Sequence, residues 1–266
     1  MARVLITGSA EGLGLMAGQL LVGEGHEVVL HARNPSRADD ARAALPDTSD
    51  VIVGDLSTLA GMNAVAIAAN AVGRFDAVIH NAGVGYREPL RIVTEDGLCH
   101  VFAVNVLAPY VLTATMLTPD RLVYLSSGMH RGGTAGVADL QWVRRRWDGS
   151  QAYADSKLYD AVLSAAVARY RSDTLSNAVE PGWVPTKMGG PGAPDDMDLA
   201  PVTQAWLAVS DDPGARVSGG YLYHQQPKTP HPAVHDAGFQ DELLAACAGL
   251  SGVAIEERPA DPLRAT

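Results

Sequence analysis

Short apolar runs alternate with longer helix-compatible segments over most of the chain. The apolar runs, each too short for a helix, cover residues 4–6, 27–30, 51–53, 77–79, 122–125, 175–179 and 220–223. The segments that predict helices cover residues 13–23, 37–45, 59–71, 97–117, 152–171 and 199–208. Continuous apolar strands that alternate with helices are typical of a parallel sheet covered on both faces. The pattern therefore predicts an α/β, three-layer, doubly wound Rossmann-type fold with a mainly parallel sheet of about seven strands.

The pattern weakens after Gly182, where glycine and proline become more frequent, and we predict a mobile segment over residues 186–196. No linker or internal repeat interrupts the chain before that point. A single domain is therefore expected over residues 1–255. The stretch from Glu256 to Thr266 is expected to be a disordered tail.

The composition argues against several classes of protein. The net charge of −10 disfavours nucleic-acid binding, because phosphates demand a basic surface. No run approaches the roughly 20 apolar residues that cross a bilayer, and the N-terminal apolar run is too short for a signal peptide. Cys99 and Cys247 provide neither a disulfide framework nor metal-ligand spacing. We expect a cytoplasmic protein without a metal, a membrane anchor or a nucleic-acid partner.

A glycine-rich segment between the first predicted strand and helix is the first candidate site. It reads Thr7, Gly8, Ser9, Ala10, Glu11, Gly12, Leu13, Gly14. Glycines permit a tight turn and let backbone N–H groups approach a pyrophosphate at the positive end of a helix. The spacing differs from G-x-G-x-x-G, but the first βα turn is where a Rossmann fold binds its dinucleotide.

The end of the second strand indicates which dinucleotide would bind. NAD-binding sheets commonly place an acidic residue there, which bonds the ribose hydroxyls and would repel a 2′-phosphate. This chain has Arg33 instead, with Arg37 four residues later, and a guanidinium forms charge-assisted bonds to phosphate. The position favours NADP(H).

The next two strands end in Asp55-Leu56 and in Asn81-Ala82-Gly83, whose small residues suit a surface for an adenosine.

The strongest chemical signal is Tyr153 with Lys157 on a predicted helix. Residues four apart share a helix face, so the phenol and the ammonium can converge on one ligand. A phenol has an ordinary pKa of about 10, and a fixed positive charge lowers it toward the working range. Upstream, Ser126 and Ser127 end a predicted strand, where a side chain points into the ligand crevice of a doubly wound sheet. No G-x-S-x-G motif supports a hydrolase.

Together these motifs resemble those of the short-chain dehydrogenase/reductase family, from Arg3 to about Tyr223. The family's cofactor loop is similar to residues 7–14, and its N-A-G element to residues 81–83. The remaining matches are the helix asparagine at Asn105, the catalytic residues Ser127, Tyr153 and Lys157, and the P-G turn with its nicotinamide-covering segment at Pro181, Gly182, Val184 and Thr186.

The resemblance implies a role for each of these residues. Tyr153 would donate a proton to a substrate carbonyl while hydride leaves the nicotinamide, and Ser127 would bind the same oxygen. Lys157 would bind the nicotinamide ribose and depress the pKa of Tyr153. Asn105 would hold a water in a proton relay behind Lys157, and Thr186 would hold the nicotinamide carboxamide.

Two departures from the family pattern matter. Ser127 and Tyr153 are 26 positions apart (153 minus 127), about twice the separation in typical members. The extra residues form an insertion over residues 129–151, which resembles that of the retinol dehydrogenase and carbonyl reductase branch. Glu11 stands where many NADPH-preferring members carry a basic residue, which leaves NAD(H) open. The insertion and the segment after Gly182 are expected to form a substrate pocket lined by His130, Trp142, Trp147, Trp183 and Met188, favouring an apolar ketone or aldehyde.

These features predict an NADP(H)-dependent carbonyl reductase or alcohol dehydrogenase acting on a small to medium apolar substrate. Two alternatives remain at this point: an epimerase or dehydratase that uses bound NAD(P) transiently, and a non-catalytic NADP(H)-binding regulator. The resemblance also suggests a homodimer or homotetramer built on the helix that begins near Ala152, unless the insertion and the C-terminal region block it.

Overall fold

The computed structural model describes residues 1–257, so the predicted tail lies, from residue 258 onward, outside the described residues. Eight strands form one sheet in the order β3-β2-β1-β4-β5-β6-β7-β8. The strands are β1 Arg3–Ile6, β2 Glu27–Ala32, β3 Asp50–Val53, β4 Ala77–His80, β5 Arg121–Leu125, β6 Leu175–Val179, β7 Tyr221–Tyr223 and β8 Gln226–Pro227. Every neighbouring pair is parallel except β7 with β8. The predicted doubly wound, mainly parallel sheet is confirmed, with the antiparallel β8 added at its edge.

The helices cover both faces of this sheet. They are α1 Gly12–Gly23, α2 Pro35–Ala44, α3 Leu59–Val72, α4 His100–Phe102, α5 Ala108–Thr115, α6 Gly149–Tyr170, α7 Val202–Val209 and α8 Ala237–Ser251. Successive residues of a strand point to opposite faces, so Val4 and Ile6 of β1 join the core under α1 and α7, while Leu5 joins the core under α3 and α6. Strands buried on both faces explain the continuous apolar runs of the sequence.

Helix α6 is enclosed by other parts of the same chain. Sixteen consecutive residues, Ala152 to Val167, are buried. The insertion packs against this helix through a short 3-10 helix, Gly128–Gly132, and α8 packs along it through Tyr159 and Phe239, whose rings lie 6.0 Å apart. The chain's own insertion and C-terminal helix therefore pack on the helix on which a dimer or tetramer was expected, and the oligomeric state stays a prediction.

The region after Gly182 contains more structure than its sequence pattern suggested. Residues 186–196 form turns without a helix or strand, but α8 and a 3-10 helix at Pro232–His235 follow. No helix in residues 1–257 is both long and apolar enough to cross a membrane.

Candidate active site

The glycine-rich segment joins β1 to α1 against the N-A-G element. Gly8 has a φ of 61°, a conformation that L side chains rarely adopt, and a Cβ there would lie 2.7 Å from Ala82 Cα. Asn81 donates from Nδ2 to the carbonyls of Thr7 and Gly8, at 2.9 and 3.0 Å. Thr7 Oγ1 in turn accepts the N–H groups of Asn81 and Ala82, both at 3.0 Å. The two predicted cofactor elements are thus one hydrogen-bonded unit.

The loop has room beside it for a dinucleotide. Gly12, also at a φ of 61°, would place a Cβ in open space, with no other atom within 4 Å. Gly14 lies inside the turn and Ser9 is buried beneath it, whereas Glu11 at the start of α1 is exposed. The loop thus presents a helix N-terminus toward this open space, which fits a pyrophosphate. Leu13 accepts a hydrogen bond from Gln204 Nε2 at its carbonyl, which ties the loop to α7.

His31 of β2 supports the loop from below, a role that its sequence position did not indicate. Its Nδ1 accepts the Gly8 N–H at 2.9 Å, and Nε2 lies 2.9 Å from the carbonyl oxygen of Gly54. Since Nδ1 is an acceptor, the ring is neutral with its proton on Nε2. Burial lowers the pKa of His31 from 6.5 to about 4, against the raising effects of Gly54 and Asp55.

Acid should therefore loosen the cofactor loop. The pKa of His31 is lower in the folded than in the unfolded protein, so the unfolded chain binds the proton first as pH falls. The free energy of unfolding should fall by up to roughly 3 kcal/mol between about pH 6.5 and pH 4, and protonated Nδ1 can no longer accept the Gly8 N–H. NADPH fluorescence titrations should show affinity falling only as pH approaches about 4, where His31 of the folded protein takes up its proton. In His31→Asn, whose amide oxygen can replace Nδ1 as acceptor, a pH dependence of affinity equal to the parent's would contradict this role.

The predicted specificity residues lie beside the loop. Arg33 is exposed at the end of β2. Arg37 donates to Glu11 at 3.0 Å and to Asp40 at 2.8 Å, and Lys187 also pairs with Glu11. Two cations therefore face the one acidic residue of the glycine loop. Among the other predicted positions, Asp55 is exposed after β3 and Leu56 is buried in the core.

Tyr153 and Lys157 lie on one face of α6, at the carboxyl end of β5. The Lys157 Nζ lies 5.7 Å from the centre of the Tyr153 ring and donates to the Leu125 carbonyl at 2.7 Å. The hydroxyl of Ser127, the residue that follows Ser126, acts to lower the pKa of the Tyr153 phenol. Ser126 is buried and its hydroxyl donates to the Lys157 carbonyl at 2.7 Å. Of the two candidate serines, Ser127 therefore faces the phenol.

The balance of charges around Tyr153 differs from the expectation. Burial raises the pKa of Tyr153 above its ordinary value, while the charge of Lys157 and the Ser127 hydroxyl act to lower it. The effect of Lys157 has the predicted sign but burial outweighs it. Burial also opposes the charge on Lys157, yet Asp160 and Tyr153 raise the pKa of its ammonium on balance, so that ammonium stays charged beside the phenol.

Asn105 lies in a π-helical turn, Ala103–Leu107, between α4 and α5. Its Oδ1 accepts the Val84 N–H at 2.8 Å, and its Nδ2 donates to the Val84 carbonyl and to Ser156 Oγ. A Cβ built on Gly83 would lie 3.5 Å from this Oδ1 and 3.6 Å from Lys157 Nζ. Asn105 therefore links Val84, the residue after the N-A-G element, to Ser156 of α6, and its role in a water relay stays a prediction.

The segment after the Pro181-Gly182 turn folds over the start of the loop that follows β4. Met188 lies against Gly85, where a Cβ would be 2.8 Å from its Cγ. Val184 is buried, and Thr186 Oγ1 accepts the Gly189 N–H. Trp183 is 55% exposed and donates from Nε1 to the Gly189 carbonyl. Trp183 and Met188 thus belong to the segment that borders the site.

Three of the predicted pocket residues lie elsewhere. His130 is fully buried: its Nδ1 lies 2.7 Å from the Ser127 carbonyl oxygen, and its Nε2 accepts the His231 N–H. Both ring nitrogens are used, so His130 holds the backbone under Ser127. Trp142 is buried in the core. The Arg145 guanidinium lies over its ring, with Cζ 3.5 Å from the ring centre.

Trp147, the third of these residues, packs edge-on against Trp142 and donates from Nε1 to the Glu88 carbonyl. The tryptophans of the insertion therefore anchor it to the protein, because burial of their large apolar surfaces stabilises the packing more than exposure in a cleft would.

Two residues near the phenol escaped the sequence interpretation. The Tyr86 ring lies 5.7 Å from that of Tyr153, and its hydroxyl reaches the Gly189 carbonyl. Asp160 pairs with Lys157 at 2.7 Å. Asp160 could have been found, since it lies three residues after Lys157 on a predicted helix. Tyr86 carried no signal, because its loop has no periodicity.

The fold and the site together define a class: a Rossmann-type oxidoreductase of the kind that uses a nicotinamide dinucleotide. The family model for short chain dehydrogenases matches residues 2–195. This chain therefore belongs to the short-chain dehydrogenase family, as its motifs implied.

Similar proteins include an uncharacterized oxidoreductase of Emericella nidulans, 40% identical over 259 residues that cover 96% of this chain and 99% of that protein. Human retinol dehydrogenase 13 is 28% identical to this chain, and the match covers 96% of this chain and 87% of the human protein. Among solved structures, a Mycobacterium paratuberculosis protein has a TM-score of 0.82 at 25% identity, covering 96% and 95% of the two chains. A metagenomic blue fluorescent protein in complex with NADPH has a TM-score of 0.68 at 21% identity, covering 84% and 95%.

Proposed function

We propose that this protein interconverts a carbonyl and an alcohol with NADP(H), and that Tyr153 is the general acid and base. The observation that carries the proposal is the arrangement around Tyr153. The Lys157 ammonium lies 5.7 Å from the centre of its ring, the Ser127 hydroxyl acts on its pKa, and a glycine loop with open space for a dinucleotide lies beside it. A proton donor held at a site for a developing alkoxide is what carbonyl reduction requires.

Hydride transfer would come from the bound dinucleotide, and the residues of this chain would bind the substrate oxygen and move its proton. Ser127 bonds the substrate oxygen and orients it toward the Tyr153 hydroxyl. The ammonium of Lys157 has three N–H donors, of which the Leu125 carbonyl and Asp160 each receive one. The remaining donor is available for a ribose hydroxyl. The same ammonium stabilises the tyrosinate that forms when the proton leaves.

The experiment that tests this function is a panel of apolar ketones and aldehydes offered with NADPH and with NADH. Net loss of reduced-nucleotide absorbance with at least one carbonyl is the expected result. Conversion of a substrate without net nucleotide consumption would indicate an epimerase or dehydratase instead. Nucleotide binding without any turnover across the panel would indicate a regulator.

Arg33 is proposed to select NADPH by bonding its 2′-phosphate. The Arg33→Asp variant should raise the KM for NADPH about 10- to 100-fold, because it removes a charge-assisted hydrogen bond and adds a like charge. The KM for NADH should change little or fall. Steady-state kinetics with both nucleotides measure the ratio. The control, Arg216→Asp, makes the same charge change at an exposed site and should leave that ratio as in the parent. An unchanged ratio in Arg33→Asp would refute the role of Arg33.

The substrate side of the site favours an apolar compound of modest size. The Tyr86 ring lies 5.7 Å from the Tyr153 ring, and Met188, from the segment after Gly182, lies against Gly85, the neighbour of Tyr86. The exposed Trp183 adds an apolar surface to that segment. Since the insertion tryptophans are packed into the protein, the size of the substrate is proposed to depend on residues 183–190 and on Tyr86.

A further inference from the structure

Asp160 is a buried carboxylate next to the proposed catalytic pair. Its Oδ2 accepts a hydrogen bond from Lys157 Nζ at 2.7 Å, and the side chains of Lys157 and Asp160 are 6% and 4% exposed. The other carboxylate oxygen, Oδ1, is buried without a hydrogen-bond partner within the described chain. Burying a carboxylate with only one of its two oxygens hydrogen-bonded lowers the stability of the fold.

The surroundings of Asp160 limit what its charge can act on. On its own helix it faces Lys157 and Tyr153, raising the pKa of both. From the sheet it faces Tyr124 of β5, whose pKa it also helps to raise. Tyr86 faces Tyr153 from the loop after β4, and Arg171 faces Tyr124 from the end of α6. Burial raises the pKa of Asp160 to about 6 against the effect of Lys157, so the carboxyl is ionised at neutral pH.

We propose that Asp160 is a positioning residue that fixes the Lys157 ammonium and restrains the ionisation of Tyr153. The Leu125 carbonyl and Asp160 hold two of the three ammonium protons, which directs the third toward Gly83 and the dinucleotide cleft. The negative charge of Asp160 offsets part of the positive charge that Lys157 presents to the phenol. The inference rests on the proposed function, in which Tyr153 is the acid and base.

Asp160→Asn separates these two effects, because an amide oxygen can still accept from Lys157 but carries no charge. Tyr153 is observed directly by the ultraviolet absorbance of tyrosinate during a pH titration, without substrate or turnover. The spectrum of a Tyr153→Phe partner variant is subtracted in each background, which isolates one of the 8 tyrosines. We expect the Asp160→Asn midpoint to lie at lower pH, with roughly threefold more tyrosinate at a fixed pH below the midpoint.

The chain offers a matched control on the same helix. Asp155 is also buried, and it pairs with Arg145 at 2.6 Å and not with Lys157. Asp155→Asn should leave the Tyr153 titration at the parent midpoint. Asp160→Glu keeps the charge and should restore a midpoint close to that of the parent. If Asp160→Asn does not fold, the smaller neutral Asp160→Ser serves the same measurement.

The outcomes distinguish this inference from the proposed function. An unchanged Tyr153 midpoint in a folded Asp160→Asn or Asp160→Ser variant overturns it, even if the parent reduces carbonyls. An equal shift of the Tyr153 midpoint in Asp155→Asn would also overturn the inference, because it would show a general effect of removing a buried charge. A shift confined to Asp160 in a protein that reduces no carbonyl supports the electrostatic coupling and rejects the proposed reaction alone.

Discussion

Replacing Tyr153 with Phe should slow carbonyl reduction about 10²–10⁴-fold, the usual contribution of a positioned general acid. The ring would still pack against Tyr86 and the fold would be kept, because only the hydroxyl is lost. Ser127 would still bind the substrate oxygen, but no group with a stabilised conjugate base would remain to protonate it. Single-turnover kinetics with NADPH would measure the loss, and NADPH fluorescence would show unchanged binding.

Tyr159→Phe is the matched control for this prediction. Tyr159 is a buried tyrosine of α6 whose hydroxyl lies 3.1 and 2.9 Å from the carbonyl oxygens of Thr134 and Gly136, away from Ser127. Its loss should lower the free energy of unfolding by roughly 0.5–1.5 kcal/mol and leave turnover intact. Parent-like turnover by Tyr153→Phe would remove Tyr153 from the reaction.

Gly14→Ala should destabilise the protein and weaken dinucleotide binding together. Its Cβ would lie 2.4 Å from Asn81 Nδ2 and 2.9 Å from the Gly8 carbonyl oxygen. The amide cannot move freely, because it bonds the carbonyls of Thr7 and Gly8. Overpacking of this kind costs about 1–3 kcal/mol, which corresponds to roughly 2–12 °C in Tm for a protein of this size. Thermal unfolding and NADPH titration would measure the two effects.

Gly23→Ala makes the same change at the other end of α1. A Cβ there meets no other atom within 4 Å, and alanine has the higher helix propensity. This variant should be stabilised by about 0.5–1 kcal/mol, with unchanged NADPH affinity. Opposite signs at Gly14 and Gly23 are the expected pattern. A Gly14→Ala protein as stable as the parent would show that the loop and the N-A-G element are not packed as described.

The sequence predicted most elements of the sheet because its strands are buried on both faces. Runs such as residues 122–125 have no polar positions to confuse the pattern. It missed α8 because glycine and proline before that helix weakened the pattern. Asp236 at its N-cap, followed by Phe239, Leu243 and Cys247 on one buried face, is the signal that could have identified it.

The insertion shows the limit of residue-type reasoning. Tryptophan, histidine and methionine suit a substrate pocket as well as a core, so their identities alone could not separate the two. Trp142 and His130 were expected at the substrate and are buried within the protein, whereas Met188 does lie over the loop beside Tyr153. Where a side chain points in a loop depends on contacts with distant segments, such as His130 with His231.

By itself, the sequence determined the sheet-and-helix framework, the glycine loop and the membership in the short-chain dehydrogenase family. These follow from local spacing: the periodicity of strands and helices, and residues such as Tyr153 and Lys157 one helical turn apart. Only the tertiary structure decided that α6 is covered by its own chain, that His31 supports the glycine loop, and that Asp160 and burial oppose Lys157 at the phenol. The solvent exposure of a side chain and the electrostatic field around it depend on contacts with segments that are distant in sequence. They are therefore set only when the fold brings those segments together.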